Sequence, residues 1–314
     1  MIKLNKPKFW DKKIGFISFI LFPFTLIYFY LNFLKRKFTK IEKFKIPIIC
    51  VGNIYVGGTG KTPTSIVFAR ELSELGKKPV ILRKYYKNHE DEYNLIRNNY
   101  KNLIISRSRK DGLRQIEKLD FNVAILDDGL QDYKIKKDVK IVCFNSNQLI
   151  GNGLVLPSGP LRENLSSLKN VEIVLINGNK DENFEKKILN INKKLEIFYS
   201  SYQPINIDEF KNKKLFAIVG IGNPENFFQL IEKFNLKIYK KKIFPDHYEF
   251  SKAEIQKILE EAESKNYQII TTEKDFFKIN KYGLKKINYL KVSLEIKKIG
   301  ELISKINSIY DKNN

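Results

Sequence analysis

The chain has 314 residues, 43% apolar and 29% charged, a balance that excludes an intrinsically disordered protein and allows two domains of ordinary size. Its two cysteines, Cys50 and Cys143, sit inside apolar runs without metal-ligand spacing, which excludes a disulfide framework and reads as two buried, reduced thiols. The net charge of +22 comes largely from scattered lysine, so it reads either as a solvated surface or as attraction to an anionic partner, an acidic membrane ahead of nucleic acid.

Ile14 to Leu34 carries no charged side chain and is dominated by Phe, Ile, Leu and Tyr. As a helix it is long enough to cross ~30 Å of hydrocarbon. Lys12 and Lys13 precede it, and Lys35, Arg36 and Lys37 follow. Basic residues at both ends weigh against a clean span, because both flanks prefer the cytoplasmic side. The run is long and no small-residue cleavage site follows, which disfavours a cleaved signal peptide. Pro23 permits a bend. Residues 1–40 are therefore expected to be a membrane-associated helix, either spanning or partly submerged with Tyr28 and Tyr30 at headgroup level.

Beyond it, short apolar strands alternate with helical stretches. Strands are expected at Ile46–Val51, Lys78–Leu82, Asn102–Ser106, Val123–Leu126, Val139–Phe144 and Glu172–Ile176. Helices are expected at Thr64–Leu75 and about Lys110–Leu119. Strands apolar on both faces and separated by helices indicate a parallel sheet covered on both sides. After a polar join near 180–210 the same grammar returns. Leu215–Val219, Gln268–Thr271 and Tyr289–Val292 read as strands, and Pro224–Lys233, Lys252–Ser264 and Ile299–Ile309 as helices. The expected fold class is α/β, with two α/β/α domains over 41–200 and 201–314, the first a P-loop NTPase-like parallel sheet.

Gly57-Gly58-Thr59-Gly60-Lys61-Thr62 falls between an apolar strand and a helix, the context that gives such a run meaning. Glycines let the backbone wrap closely round phosphates and turn its N–H groups inward. Lys61 supplies a point charge to the β/γ oxygens and Thr62 a hydroxyl for Mg²⁺. Pro63 lies in the first helical turn, where a missing N–H costs little. The stricter P-loop pattern has glycine where this chain has Tyr55. Val123-Ala124-Ile125-Leu126 then delivers Asp127 and Asp128 at a strand end, where acids can orient Mg²⁺ and its waters. The bland readings are a Gly-rich turn with an incidental lysine and a pair of turn-capping acids; each weakens in the presence of the other.

These residues resemble the tetraacyldisaccharide 4′-kinase family of lipid A biosynthesis. The likeness runs through Val51-Gly52-Asn53, Val56 to Pro63, Leu126-Asp127-Asp128-Gly129-Leu130-Gln131, Gly151-Asn152-Gly153 and Leu156 to Glu163. It continues through Gly220-Ile221-Gly222-Asn223-Pro224, Phe244-Pro245-Asp246-His247-Tyr248 and Thr271-Thr272-Glu273-Lys274-Asp275. The apolar N-terminal helix looks like that family's membrane-binding helix.

The resemblance implies transfer of the γ-phosphate of ATP, with Mg²⁺, to the 4′-hydroxyl of a diacylglucosamine disaccharide 1-phosphate. It places the site in a cleft between two α/β domains at the cytoplasmic face of the inner membrane. The implied partners are an anionic glycolipid and the membrane surface, with no nucleic acid. The family's aspartate–histidine base maps to Asp91 and His247, drawn from different halves, and Gln131, Arg162 and Glu163 fall at substrate-binding positions. Three departures stand out. The family's Gly-Asp-Glu-Pro reads Glu90-Asp91-Glu92-Tyr93 behind His89, so His89 competes for the base role. Its Arg-Gly-Tyr-Gly reads Arg83-Lys84-Tyr85-Tyr86, and Asp132-Tyr133 replace a His-Arg pair. The rival reading is a membrane-docked regulatory P-loop ATPase without a sugar acceptor; no Asn-Lys-x-Asp guanine signature is present.

Overall fold

The structure is a computed structural model that describes residues 7–87, 89–246, 248–284 and 286–311. In chain order its helices and strands are α1 (Phe16–Phe38), β1 (Ile48–Gly52), α2 (Lys61–Glu74), β2 (Pro79–Lys84), α3 (Glu90–Asn99), β3 (Leu103–Ser106), α4 (Arg109–Ile116), β4 (Val123–Asp127), β5 (Val139–Asn145), β6 (Ile173–Asn177), α5 (Glu182–Ile191) and β7 (Glu196–Pro204). There follow β8 (Leu215–Val219), α6 (Pro224–Lys233), β9 (Ile238–Ile243), α7 (Lys252–Ser264), β10 (Gln268–Thr272), α8 (Glu273–Asn280), β11 (Ile287–Leu290), β12 (Val292–Ile296) and α9 (Ile299–Asp311).

The larger sheet has eight strands in the order β12-β7-β6-β5-β1-β4-β2-β3. From β7 to β3 every adjacent pair is parallel. β1, β4 and β6 are buried at every position, as strands covered on both faces must be. The smaller sheet has the order β11-β10-β8-β9 and is also parallel. Fully burying each core Val, Leu or Ile of these strands stabilises the fold by roughly 1.5–3 kcal/mol.

The chain divides into two compact units that are not contiguous pieces. The P-loop unit takes the described residues up to Tyr85, then Tyr100–Ser201, then those from Ile296 on; the second unit takes Tyr86–Asn99 and Tyr202–Glu295. The expected boundaries at 40/41 and 200/201 treat each domain as one uninterrupted stretch. In the structure α3 leaves the first stretch for the second unit, and α9 returns to the first.

The polar join expected near 180–210 is instead α5 followed by β7. Asp181 caps α5 by accepting from Phe184 N at 2.9 Å, and Phe184 and Ile188 give it a buried stripe among polar residues. The single strand expected at Tyr289–Val292 is two, β11 and β12, which belong to different sheets. β9 escaped sequence reading because it is an edge strand whose Lys240, Lys241 and Lys242 interrupt the apolar pattern.

α1 is 23 residues long, with a mean hydropathy of 1.9 over its most apolar window, and is long and apolar enough to cross a membrane. One narrow polar face fastens it to the P-loop unit. Thr25 Oγ1 hydrogen-bonds to Ser158 Oγ at 2.8 Å, Asn152 Nδ2 donates to Ser18 Oγ at 3.2 Å, and Tyr28 OH donates to Arg162 O at 3.2 Å. Just ahead of the helix, Trp10 Nε1 donates to Pro157 O at 3.1 Å. Phe16, Phe19, Ile20, Phe24, Ile27 and Leu31 remain exposed.

Candidate active site

The phosphate loop leaves β1 and enters α2 through two backbone conformations that side chains rarely adopt: Gly57 has φ +133° and Gly60 φ +88°. Gly60 is the N-cap of α2, so the first-turn N–H groups, with Lys61 and Thr62, open onto the loop. Asn53 holds the loop from inside, its Nδ2 donating to Thr59 Oγ1 at 3.0 Å and to Gly57 O at 3.3 Å. Tyr55, where the stricter pattern has glycine, is wholly buried, and its ring lies 3.7 Å from where a Cβ on Gly57 would stand. Its hydroxyl donates to Asp11 Oδ1 at 3.1 Å. The departure therefore supports the loop from beneath.

β4 lies beside β1 with Val51 opposite Asp127, which brings the strand-end acids to the loop. Thr62 Oγ1 donates to Asp127 Oδ2 at 3.0 Å, and Ser65 Oγ donates to Oδ1 at 3.3 Å. The buried Arg83 pairs with Asp127 and donates from Nη1 to Thr62 Oγ1 at 3.1 Å. Asp128 follows in the left-handed region, φ +54°, which turns its carboxylate towards Lys61 (Nζ–Oδ1 3.8 Å) and Arg162 (Nη1–Oδ1 3.0 Å). Burial alone would raise the Asp128 carboxyl, but Lys61, Arg162, Arg83 and Arg109 hold it well below the usual carboxylate range. Burial in turn pushes the Lys61 ammonium down from its ordinary value, against the pull of Asp128. Arg109 Nη2 donates to the main-chain oxygen of Asp128 at 2.6 Å, fixing the strand end.

The segment ending in Glu163 closes against the same loop. Val56 N donates to Pro160 O at 2.9 Å and Arg162 N to Ile54 O at 2.7 Å. Gln131 Nε2 bridges Asn53 O at 3.0 Å and Glu163 Oε1 at 2.9 Å. The P-loop unit thus brings together the loop residues Gly57 to Pro63 with Asp127, Asp128, Gln131, Arg162 and Glu163. Asp132 pairs with Arg109 at 3.7 Å, and the ring of Tyr133 lies under Arg36.

The second unit carries Asp91 at the start of α3. Asp91 therefore belongs to the same unit as the described residues between 202 and 295. The reason is α8. Lys278 Nζ lies 3.1 Å from Asp91 Oδ2, Lys274 Nζ lies 3.5 Å from it, and Asn99 Nδ2 donates to Glu273 Oε1 at 3.3 Å. The Thr271-to-Asp275 block makes the turn that aims α8: Thr272 caps it, accepting from Asp275 N at 3.1 Å, and Asp275 Oδ2 accepts from Gly220 N at 2.8 Å. Burial pushes the Asp275 carboxyl up, partly countered by Lys278. His89 precedes α3 with Nδ1 3.0 Å from Glu92 Oε2 and its ring against Tyr86. His247 lies outside the described residues.

Thr62, Asp127 and Asp128 offer only oxygen donors, the type that suits Mg²⁺ held by one or two carboxylates together with phosphate oxygens. Among the described residues no group of three or more His, Cys, Asp or Glu could hold a metal unaided, so an ion here would depend on the nucleotide for further ligands. The residue set fits Mg²⁺ on that condition. Arg83, Arg109, Lys274 and Lys278 were not singled out from sequence. Arg83 and Lys274 lie inside blocks quoted above, but their partners are distant in the chain and no spacing rule connects them.

A family model described as tetraacyldisaccharide-1-P 4′-kinase matches residues 17–310. A tetraacyldisaccharide 4′-kinase of Pelagibacter ubique (strain HTCC1062) is 42% identical over 316 residues, covering 99% of this chain and all of the relative. One of Rickettsia bellii (strain OSU 85-389) is 36% identical over 298 residues, covering 89% of this chain and 91% of the relative. The fold is similar to that of LpxK from Aquifex aeolicus, solved in complex with ATP, with a TM-score of 0.70 at 24% identity over 94% of this chain and 99% of that one. On a match that spans both units and every motif block, the chain belongs to the tetraacyldisaccharide-1-P 4′-kinase family.

Proposed function

We propose that this chain transfers the γ-phosphate of ATP to the 4′-hydroxyl of tetraacyldisaccharide 1-phosphate at the cytoplasmic face of the inner membrane. The observation that carries this reading is the contact between the phosphate loop and the β4 acids, Thr62 on Asp127 and Lys61 beside Asp128, in a chain of this family. The loop N–H groups and Lys61 hold the phosphates. Thr62, Asp127 and Asp128 would hold Mg²⁺, which when bound offsets phosphate charge. As the acceptor oxygen bonds to phosphorus, the bond to ADP breaks and the hydroxyl proton passes to a base. Asp91, together with His247, is assigned that role from the family pattern, and Lys274 and Lys278 set the charge around Asp91. Gln131, Arg162 and Glu163 are assigned to the sugar.

The attachment of α1 favours an interfacial helix over a span. Its hydrogen bonds from Ser18 to Tyr28 run about 15 Å along the axis, all to the P-loop unit, which supports a helix that stays against that unit. Its exposed Phe, Ile and Leu side chains instead suit burial in one leaflet, with Lys35, Arg36 and Lys37 at the headgroups.

Purified protein in detergent with labelled ATP and tetraacyldisaccharide 1-phosphate should form the bis-phosphorylated lipid. ATP hydrolysis with no phosphorylated lipid would favour the regulatory ATPase and remove the kinase reading.

A further inference from the structure

Arg36, in the last turn of α1, reaches across to Glu163 and forms an ion pair with it; the Glu163 side chain is 7% exposed and that of Arg36 46%. The guanidinium also lies over the ring of Tyr133, 4.5 Å from its centroid. Burial, then the nearby Glu163 carboxylate, push the Tyr133 phenol up to about 12, so it stays neutral beside the ion pair. Gln131 supplies a further donor to Glu163 Oε1 at 2.9 Å. One buried carboxylate is thus held by Arg36 and Gln131, and Arg36, which belongs to the apolar helix, is itself held over the Tyr133 ring.

The position of that helix residue gives the arrangement its meaning. The exposed apolar stretch of α1 runs as far as Phe33, and the basic cluster Lys35-Arg36-Lys37 follows it, with Phe38 exposed at the helix end. In a leaflet, such a boundary sits at headgroup depth, where long basic side chains lie along apolar surface with their charge in the polar layer. A glycolipid's sugar emerges from the acyl phase at the same depth.

We propose that Arg36 and Tyr133 are positioning residues for the lipid acceptor: they fix the Glu163 carboxylate at headgroup depth, aimed to accept hydrogen bonds from the sugar of an anionic glycolipid. This rests on the kinase reading given above. Tyr133 stands where the family pattern has the arginine of a His-Arg pair.

The test uses the full chain in mixed micelles with ATP and tetraacyldisaccharide 1-phosphate. Loss of one hydrogen bond to a charged group predicts that Arg36→Gln raises the lipid KM about tenfold, with kcat and the ATP KM unchanged. Arg36→Lys should recover part of the loss, and Tyr133→Leu, which removes the ring beneath the guanidinium, should raise the lipid KM to a smaller extent. All three variants should still float with anionic-lipid vesicles, which separates a raised lipid KM from lost membrane contact. An unchanged lipid KM in Arg36→Gln, or a loss shared equally with ATP, overturns the positioning role. If the wild-type chain forms no phosphorylated lipid, the kinase reading falls instead. A thermal-unfolding double-mutant cycle of Arg36→Gln with Glu163→Gln then decides what the pair is. Coupling there, without lipid turnover, leaves a docking contact and overturns positioning; lipid turnover together with a raised lipid KM supports it.

Discussion

Lys278 Nζ stands 3.1 Å from a carboxylate oxygen of Asp91, and both side chains are buried, 6% and 1% exposed. The pair ties α3 to α8 and explains why Asp91 travels with the second unit although it lies early in the chain. Removing one member of a buried pair leaves the other charge in a poorly solvating environment. Lys278→Met should therefore destabilise the second unit by about 3 kcal/mol and slow lipid phosphorylation. An unfolding midpoint and a turnover rate both at wild-type values would show that the pair does neither.

Asp91→Asn and His247→Ala should each slow transfer far more than they weaken ATP binding, because both are assigned to the acceptor proton and not to the nucleotide. His89→Ala should keep wild-type activity, since His89 is already engaged with Glu92 and Tyr86. Single-turnover rates alongside nucleotide binding separate the two effects; a slow His89→Ala enzyme would move the base role to His89.

Asp127 and Asp128 face different partners, so their variants should differ. Asp127→Asn weakens the clamp on Thr62, Ser65 and Arg83, and Asp128→Asn removes the counter-charge of Lys61 and Arg162. Each should lower kcat by about a hundredfold or more. Asp128→Asn should also change ATP affinity, because Lys61 is then paired only with the nucleotide. Equilibrium binding of a fluorescent ATP analogue reads that difference, and identical affinities would contradict it.

Burial pushes the Cys50 thiol up to about 11 and the Cys143 thiol up to about 12, from an ordinary value of 9.0. The thiolate is the nucleophile, so neither cysteine of the folded chain should react with iodoacetamide at pH 8.5, and both should react in denaturant. The linkage sign follows from the same shift. The unfolded chain releases these protons first, so the contribution to stability is complete below about pH 9 and is lost as pH rises towards the folded values. Denaturant midpoints at pH 8 and pH 10 measure it; a midpoint that rises with pH over that range would reverse the sign.

Thr25→Val removes the buried hydroxyl that joins α1 to Ser158 and leaves Ser158 short of a partner, a loss of about 1 kcal/mol, while keeping the helix apolar. Phe19→Lys with Phe24→Lys instead charges the exposed face and leaves the polar face intact. Vesicle flotation should fall for the double variant and not for Thr25→Val. The reverse order would place the membrane-facing side of α1 wrongly.

Much of the fold was legible because its signals are local. β1, β4, β5 and β6 are continuous apolar runs, and the phosphate loop is flanked by a strand and a helix within a dozen residues. α5, β7 and β9 were missed where the local signal was weak: a short helix of mostly polar residues, a strand only partly buried, and an edge strand of lysines. Within the site, the loop and the paired acids were visible as motifs. Arg83, Arg109 and Lys278 were not, because a buried cation has no sequence mark until its carboxylate is known.

The sequence by itself determined the class of donor chemistry. Gly57 and Gly60 permit backbone angles that residues with a Cβ resist, Lys61 and Thr62 follow in register, and Asp127 and Asp128 end an apolar strand. These are properties of short stretches, set by sterics and hydrophobic pattern. Only the tertiary structure decided which distant charges share a buried space. It put Arg83 on Asp127, Lys61 and Arg162 on Asp128, Lys278 on Asp91, and Arg36 of the apolar helix on Glu163. A buried charge must find its counter-charge wherever packing brings one, and packing is a property of the whole fold.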